Sequence, residues 1–376
     1  MSDRLVHDLS IVGTVGLPAA YGGFETLADQ LTQRFSAQHS IQVFCTGKRH
    51  PDKRTRPQTS SGAVLNYVEW DANGWQSIPY DFVSLWRAAG QSKTILVLGV
   101  SGCLLLPFIR LLWPRTRIVT NVDGLEWKRQ KWGLFARAVL RISERSAVTF
   151  SHAIVADNQS ILEHIASNYR RMSHLIAYGG DQAGEPDQAT TPAKERTRPN
   201  DTRFADGKYF FSVCRIEPEN HIAEILAAFA QIPEKNLVLV GNWNVSAYAK
   251  QLHERYCEVP NIELKYPLYD QFRLRALRTH SEAYVHGHSA GGTNPSLVEA
   301  MHAGVPVMAY DIDYNRHTTC NQAIYWQNTT ELTERIRLTT DAALTEIAFR
   351  MAEIARMHYT WAIVAKQYAD ILFSDN

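Results

Sequence analysis

Short runs of apolar and β-branched residues recur along the chain with no polar alternation inside them: LSIVGTV, IQVFCTG, TILVLGV, RIVTNV and AIVAD. Between them lie stretches such as FETLADQLTQRF and GLFARAVLRISERSAV, whose apolar residues return every three or four positions. A run without alternation predicts a strand covered on both faces, and the three-to-four spacing predicts an amphipathic helix. Strand, helix, strand in that rhythm predicts a parallel sheet with helices on both sides.

The rhythm stops at Gly184. From there to about Lys208, GEPDQATTPAKERTRPNDTRFADGK is polar, carries prolines and holds almost no core residue, so it predicts a linker. The rhythm then restarts with YFFSVC, NLVLVG, IELKYPL, EAYVHG and VPVMAYD. The expected class is α/β, with two Rossmann-like, doubly wound domains facing a cleft. Their expected bounds are 1–183, a linker at 184–207, and 208–357. Ligands of such sheets sit beyond the carboxyl ends of the strands, which puts the expected site in the cleft. The tail YTWAIVAKQYADILF places Trp361, Val364, Tyr368 and Ile371 or Leu372 on one helical face, predicting a packed terminal helix within 358–376.

One segment needs testing against a membrane span. Thr94 to Trp113 carries a single charge, Arg110, over about the length of a bilayer crossing. Gly99, Ser101 and Gly102 break it after the strand-like TILVLGV, and Pro107 interrupts the remainder. A buried strand followed by an apolar helix is the expectation.

Composition narrows the function. The 376 residues are 45% hydrophobic and 20% charged, enough for two cores. Lys plus Arg (39) nearly equals Asp plus Glu (38), so no global attraction to nucleic acid is expected. Cys45, Cys103, Cys214, Cys257 and Cys320 form no CxxC pair, which argues against a zinc ribbon or disulfide scaffold. MSDRLVHDLSIVG lacks the apolar core of a signal peptide, so a cytoplasmic location is expected.

Two glycine-rich loops carry candidate chemistry. GTVGLPAAYGGFETLADQL follows a strand and opens a helix, with Gly13, Gly16, Gly22 and Gly23 where the backbone comes close to something. Amide groups at a helix start attract phosphate, although glycines there also serve tight packing. Neither GxGxxG nor a Walker GKS/T is present. The second loop, HGHSAGGTNPSLVEAMHAGVPVMAYD, reads as strand, glycine-rich turn, a helix from about Pro295, a turn at Gly304 and another strand. Asn294 or Thr293 is placed to cap that helix. The amides of Ser296 and Leu297 would seat a diphosphate, and Glu299, one turn in, would accept two ribose hydroxyls.

This second segment resembles the most diagnostic motif of the family 4 retaining GT-B glycosyltransferases, in which two glutamates eight positions apart frame a phosphate-binding helix. Glu299 matches the second glutamate, while Gly291 stands at the first. Donor-sugar contacts would then come from the backbone of Gly291, Gly292, Thr293 and Asn294, or from His288. SVCRIEPENHIAEILAAF resembles the family's strand-arginine-helix element. There Arg215 matches the arginine that holds the donor diphosphate, and Asn220 stands where a lysine is usual. VGNW and IELKYPLYDQF resemble the loops around the base, which places Tyr266 to Leu268 near it. The tail resembles the helix that crosses back onto the N-terminal domain.

GLPAAYGGFETLADQL, NVDGLEWKRQKW, RIEPEN, VGNW, GHSAGGTNPSLVEAM and YNRHTT together resemble the bacterial rhamnosyltransferase branch of that family. The resemblance implies transfer of L-rhamnose from dTDP-L-rhamnose to a lipid-linked saccharide during capsule, O-antigen or cell-wall polysaccharide synthesis. It implies Asp123, Glu299 and Arg215 as the catalytic set, with Asp123 beside the anomeric carbon. Gly22 and Gly23 fall on the donor side, and Tyr21, Glu25, Glu126 and Arg129 on the acceptor side. Retention on one face of the sugar requires no separate base. No cofactor or metal is assigned, since Asp311-Ile-Asp313 follows a strand and two carboxylates alone make a weak magnesium site.

Other donors on the same plan are UDP-glucose, UDP-GlcNAc and GDP-mannose. Different in kind are a silent GT-B module that binds nucleotide sugar or glycan, and a UDP-sugar 2-epimerase. Finally, CLLLPFIRLLW and KRQKWGLFARAVLRISER set apolar and aromatic residues beside Lys128, Arg129, Lys131, Arg137 and Arg141. That mixture suits peripheral docking on the anionic inner face of the plasma membrane. If the apolar helix is interior instead, the charges form a solvated face.

Overall fold

The computed structural model describes residues 6–19, 22–124, 127, 133–183, 202–204 and 209–374. It separates into two units, one of residues 1–177 with 361–376 and one of residues 178–360. Within the expected linker, Thr202 to Phe204 are the described residues.

The first unit holds β1 (His7–Val12), β2 (Ile41–Thr46), β3 (Thr59–Ser60), β4 (Ala63–Val68), β5 (Ser92–Leu98), β6 (Arg117–Val122), β7 (Ala153–Ala156) and β8 (His174–Leu175). They lie in the order β3-β4-β2-β1-β5-β6-β7-β8, and every pair is parallel except β3 with β4. Its helices are α1 (Gly23–Phe35), α2 (Ser77–Ala89), α3 (Leu106–Leu112), α4 (Leu134–Phe150) and α5 (Gln159–Tyr169). All six residues of β2 are buried, as an unalternated run requires when both faces are covered.

The second unit repeats the plan with β9 (Tyr209–Val213), β10 (Asn236–Val240), β11 (Ile262–Lys265), β12 (Ala283–His286), β13 (Val307–Tyr310) and β14 (Ile324–Trp326). They form one parallel sheet in the order β11-β10-β9-β12-β13-β14. Its helices are α6 (Ile222–Ala230), α7 (Ala247–Tyr256), α8 (Gln271–Thr279), α9 (Pro295–His302), α10 (Asp313–Thr318), α11 (Thr329–Leu338) and α12 (Asp341–His358). Phe210, Phe229, Leu237, Leu239, Trp243 and Trp326 form the heart of one core layer. Burying each such side chain contributes about 1.5–3 kcal/mol. Both sheets are Rossmann-like, so the expected fold class holds.

The terminal helix α13 (Trp361–Leu372) packs on the first unit. Trp361, Val364, Tyr368, Ile371 and Leu372 are all buried, the face its spacing predicted. Its last carbonyls need partners that a helix end cannot supply. Thr94 Oγ1 donates to Leu372 O (3.1 Å) and Arg117 Nε to Ile371 O (3.1 Å). Asn121 Nδ2 donates to the Tyr368 hydroxyl (2.8 Å), which ties α13 to β6.

The run Thr94 to Trp113 divides into β5, a turn through Gly99 and Gly102, and the seven-residue α3. No helix among the described residues is long and apolar enough to cross a membrane. Inside that turn sits a buried acid. Asp81 on α2 is 7% exposed and hydrogen-bonds Ser101, and burial pushes its carboxyl up to about 8. Between about pH 4 and 8 it is neutral folded and ionised unfolded, so the unfolded state binds fewer protons. Stability therefore falls as pH rises, by about 1.4 kcal/mol per unit. Asp81→Asn should flatten this slope and stabilise the protein at pH 8. Urea unfolding at pH 5 and pH 8 with equal pH dependence in both proteins would refute the account.

Candidate functional site

In the second unit, β9 delivers Arg215 on the turn that precedes α6. Its side chain is 43% exposed, and its Nε lies 3.9 Å from a Glu217 oxygen. Asn220 behaves differently. It is 3% exposed, its Nδ2 donates to Arg215 O (2.6 Å), and its Oδ1 accepts from His288 Nδ1 (2.5 Å). The carboxamide is therefore used inside the unit, where it joins the arginine turn to the loop after β12. Ser289 strengthens the joint, its N–H and Oγ both donating to Glu219 O at 2.9 Å. Asn315 on α10 donates to His288 O (2.9 Å) and holds the loop from its other side.

The glycine-rich loop runs into α9. Gly291 has φ +118°, where any side chain is strained. Gly292 and Thr293 are buried. Asn294 is the cap, its Oδ1 accepting from Ser296 N (3.0 Å) and Oγ (2.7 Å). Leu297 N donates to Asn294 O at 3.1 Å, and its side chain lies in the core. This corrects the expectation that the Ser296 and Leu297 amides stand open for a diphosphate. The cap consumes both, leaving the dipole of α9 and the loop before it to draw the anion.

Glu299 is not a surface glutamate. Its Oε2 accepts from Arg278 Nη2 (2.6 Å) and its Oε1 from Gln182 Nε2 (3.0 Å). Arg278, on α8, is 1% exposed, and its Nε has no partner among the described residues. Each carboxylate oxygen keeps a second lone pair for a hydroxyl donor. Tyr266 is 52% exposed with its ring 5.8 Å from that of His253, and Leu268 is half-buried.

Sequence reasoning missed Arg278, Gln182, Tyr284 and His286. Arg278 reads as one more cation on the polar helix QFRLRALRT, and its burial and its bond to Glu299 belong to tertiary packing that the helix's own sequence does not report. The Tyr284 hydroxyl lies within hydrogen-bond distance of Val213 O (3.2 Å) and Ser296 Oγ (3.1 Å), linking β9 to the start of α9. His286 is 3% exposed with Nε2 unpartnered, and burial pushes its imidazole down to about 3. It is therefore neutral at physiological pH. Arg316 clamps Asp311 with Nε (2.5 Å) and Nη2 (2.9 Å), which holds the carboxyl below its usual range. No cluster of three acidic, histidine or cysteine side chains able to hold a metal occurs among the described residues.

In the first unit, Gly22 has φ +139°, and a Cβ there would lie 1.9 Å from Glu25 Oε2. Glu25 is 6% exposed, accepts from Val15 N (3.3 Å), and has its carboxyl pushed up by burial. It thus clamps its own loop ahead of α1, which begins at Gly23. Asp123 is half-buried just after β6. Tyr21, Glu126 and Arg129, with Lys128 and Lys131, lie outside the described residues.

Two Rossmann-like parallel units, the second with an arginine turn joined to a glycine-rich loop and a capped helix bearing an acid one turn in, define the GT-B fold. Residues 193–343 match the family described as Glycosyl transferases group 1, and residues 6–181 match the one described as Domain of unknown function (DUF1972). The chain thus carries a Glycosyl transferases group 1 domain in its C-terminal part and a DUF1972 domain in its N-terminal part. Enzymes of this family use nucleotide-sugar donors.

No curated protein matches the chain in sequence. Among solved structures, sucrose-phosphate synthase from Thermosynechococcus elongatus superposes with a TM-score of 0.78 at 14% identity, covering 97% of this chain and 98% of that one. Anabaena HepE in complex with UDP-glucose gives 0.77 at 14% identity, covering 98% and 100%. A Rickettsia africae glycosyltransferase gives 0.70 at 13% identity, covering 98% of each chain. Such identities establish the shared fold.

Proposed function

We propose that the enzyme transfers a sugar with retention of configuration, specifically L-rhamnose from dTDP-L-rhamnose, onto a lipid-linked saccharide for bacterial surface polysaccharide. The rhamnosyl reading is supported by the combination of GLPAAYGGFETLADQL, RIEPEN and GHSAGGTNPSLVEAM. The observation that carries donor binding is the hydrogen-bonded joint of Asn220, which holds the Arg215 turn against the His288 loop. In this reading Arg215 neutralises the departing diphosphate, and the positive end of α9 assists it. Glu299 accepts the ribose hydroxyls. Asp123 stabilises positive charge at the anomeric carbon. The anomeric C–O bond to phosphate breaks, the acceptor oxygen bonds to that carbon from the same face, and its proton passes to the leaving phosphate oxygen.

A second reading keeps the reaction and changes the donor, since the similar HepE structure holds UDP-glucose. Thermal shifts with dTDP-L-rhamnose, UDP-glucose, UDP-GlcNAc and GDP-mannose separate them. A donor at a hundred times its Kd adds about 2.7 kcal/mol of stability. The largest shift should come from dTDP-L-rhamnose; a shift confined to a UDP or GDP sugar overturns that choice. Product release without any acceptor would indicate an epimerase.

The reading includes docking on the cytoplasmic face of the membrane. On α3, Leu106 and Ile109 are buried while Phe108, Leu111 and Leu112 are exposed. On the adjoining α4, Leu134 and Phe135 are 85% and 84% exposed. Arginines 137, 141 and 145 follow on α4, a composition that suits an anionic interface. Wild-type protein should float with anionic liposomes and less so in high salt. Phe135→Glu should reduce flotation severalfold, and flotation indifferent to lipid charge would defeat the idea.

A further inference from the structure

Outside the donor site, the first unit has an open groove of about 670 Å3 between α4 and α5. Its walls are organised by a buried acid. Glu144 on α4 is 1% exposed. Its carboxylate accepts from Trp127 Nε1 (2.8 Å), His164 Nε2 (2.9 Å) and the Tyr169 hydroxyl (2.7 Å). Burial pushes this carboxyl up, but the three hydrogen bonds outweigh it and hold the group below its usual range. A charged carboxylate buried without a lysine or arginine partner is a poor device for stability alone. What it does here is lock three groove-lining rings in one arrangement. Asn168 extends the network, its Nδ2 lying 3.0 Å from His164 Nδ1.

Two cations line the same groove. Arg141 lies over Trp127 with its Cζ 5.2 Å from the ring centroid. Arg145, one turn further along α4, lines the same groove. Both are exposed, and neither has an ion-pair partner among the described residues. Like charges at i and i+4 repel by a few tenths of a kcal/mol unless an anion lies between them. Trp127 and Tyr169 offer aromatic faces, and Asn168 an amide, of the kind that hold a sugar ring and its hydroxyls. Two guanidinium groups beside them suit a phosphoryl group.

The geometry points to a binding site for a phosphorylated saccharide in this groove, its phosphate between Arg141 and Arg145 and its sugar against Trp127 and Tyr169. The site rests on the first unit alone and stands whichever nucleotide sugar is the donor. The phosphate comes either from a soluble sugar phosphate or from a lipid headgroup.

Isothermal titration of the full chain with glucose 1-phosphate and with glucose, and sedimentation with phosphatidylglycerol or phosphatidylcholine vesicles, distinguish these sources. Wild type should bind glucose 1-phosphate at least tenfold tighter than glucose. Arg141→Ala/Arg145→Ala should weaken that binding by about tenfold or more. Arg215→Ala, whose change lies in the other unit, should leave it intact. Binding lost in Arg215→Ala but kept in the double variant places the probe in the donor site and overturns the proposal. Binding to phosphatidylglycerol vesicles alone, lost in the double variant but kept in Phe135→Glu, supports the site with a lipid headgroup as the phosphate source; lost in both variants, it belongs to the docking face and overturns the site. Binding of neither probe, or binding unchanged in the double variant, overturns it. Both arginines are exposed, so the double variant should keep the wild-type circular dichroism spectrum.

Discussion

Glu299→Ala should cost about 3–5 kcal/mol of stability as well as donor affinity, because it strands Arg278 as a buried unpaired cation. From the sequence alone, the same substitution reads as a change to binding with folding largely intact. The difference is the ion pair at 2.6 Å, in which the arginine is 1% exposed. Glu299→Gln separates the two effects. Glutamine keeps an acceptor for Arg278 and Gln182, so less stability is lost. It gives up the charge-assisted bonds to the ribose, so donor affinity should fall about tenfold. Chemical denaturation and calorimetric titration read the two quantities separately. An alanine variant as stable as wild type would remove the ion-pair account. A glutamine variant with unchanged donor affinity would remove the ribose role.

Asp123→Asn should lower turnover by about a hundredfold or more while donor affinity stays within a few-fold. The two side chains have the same shape, so what changes is the charge presented to the reacting sugar. A half-buried aspartate directly after β6 is also what an Asp-Gly turn places there. The kinetic split decides between the two. If kcat stays within a few-fold of wild type, Asp123 is a turn residue and the charge at the anomeric carbon is stabilised from elsewhere.

The fold was legible because its signals are local. An unalternated strand such as IQVFCT has no polar face to leave in water, and all six of its residues are buried. The terminal helix was legible for the same reason, since 3.6-residue spacing fixes which side chains share a face. Loop chemistry was half legible. The sequence offered Asn294 or Thr293 as the helix cap, and the structure selects Asn294 by its hydrogen bonds from Ser296. The Asn294 side chain takes up the Ser296 amide and its carbonyl the Leu297 amide, both of which the sequence had offered to phosphate, so a bound anion would compete with the cap for the same N–H groups.

By itself the sequence determined the two Rossmann-like sheets, the packed face of α13 and, through motif resemblance, the glycosyltransferase class. These depend on residue order and periodicity over a few turns. The tertiary structure alone decided which polar side chains meet: Glu299 with Arg278 and Gln182, Asn220 with His288, and Glu144 with Trp127, His164 and Tyr169. Those partners stand 17 to 117 positions apart in the chain. A hydrogen bond reaches about 3 Å, so no local pattern reports it until packing has brought its two ends together.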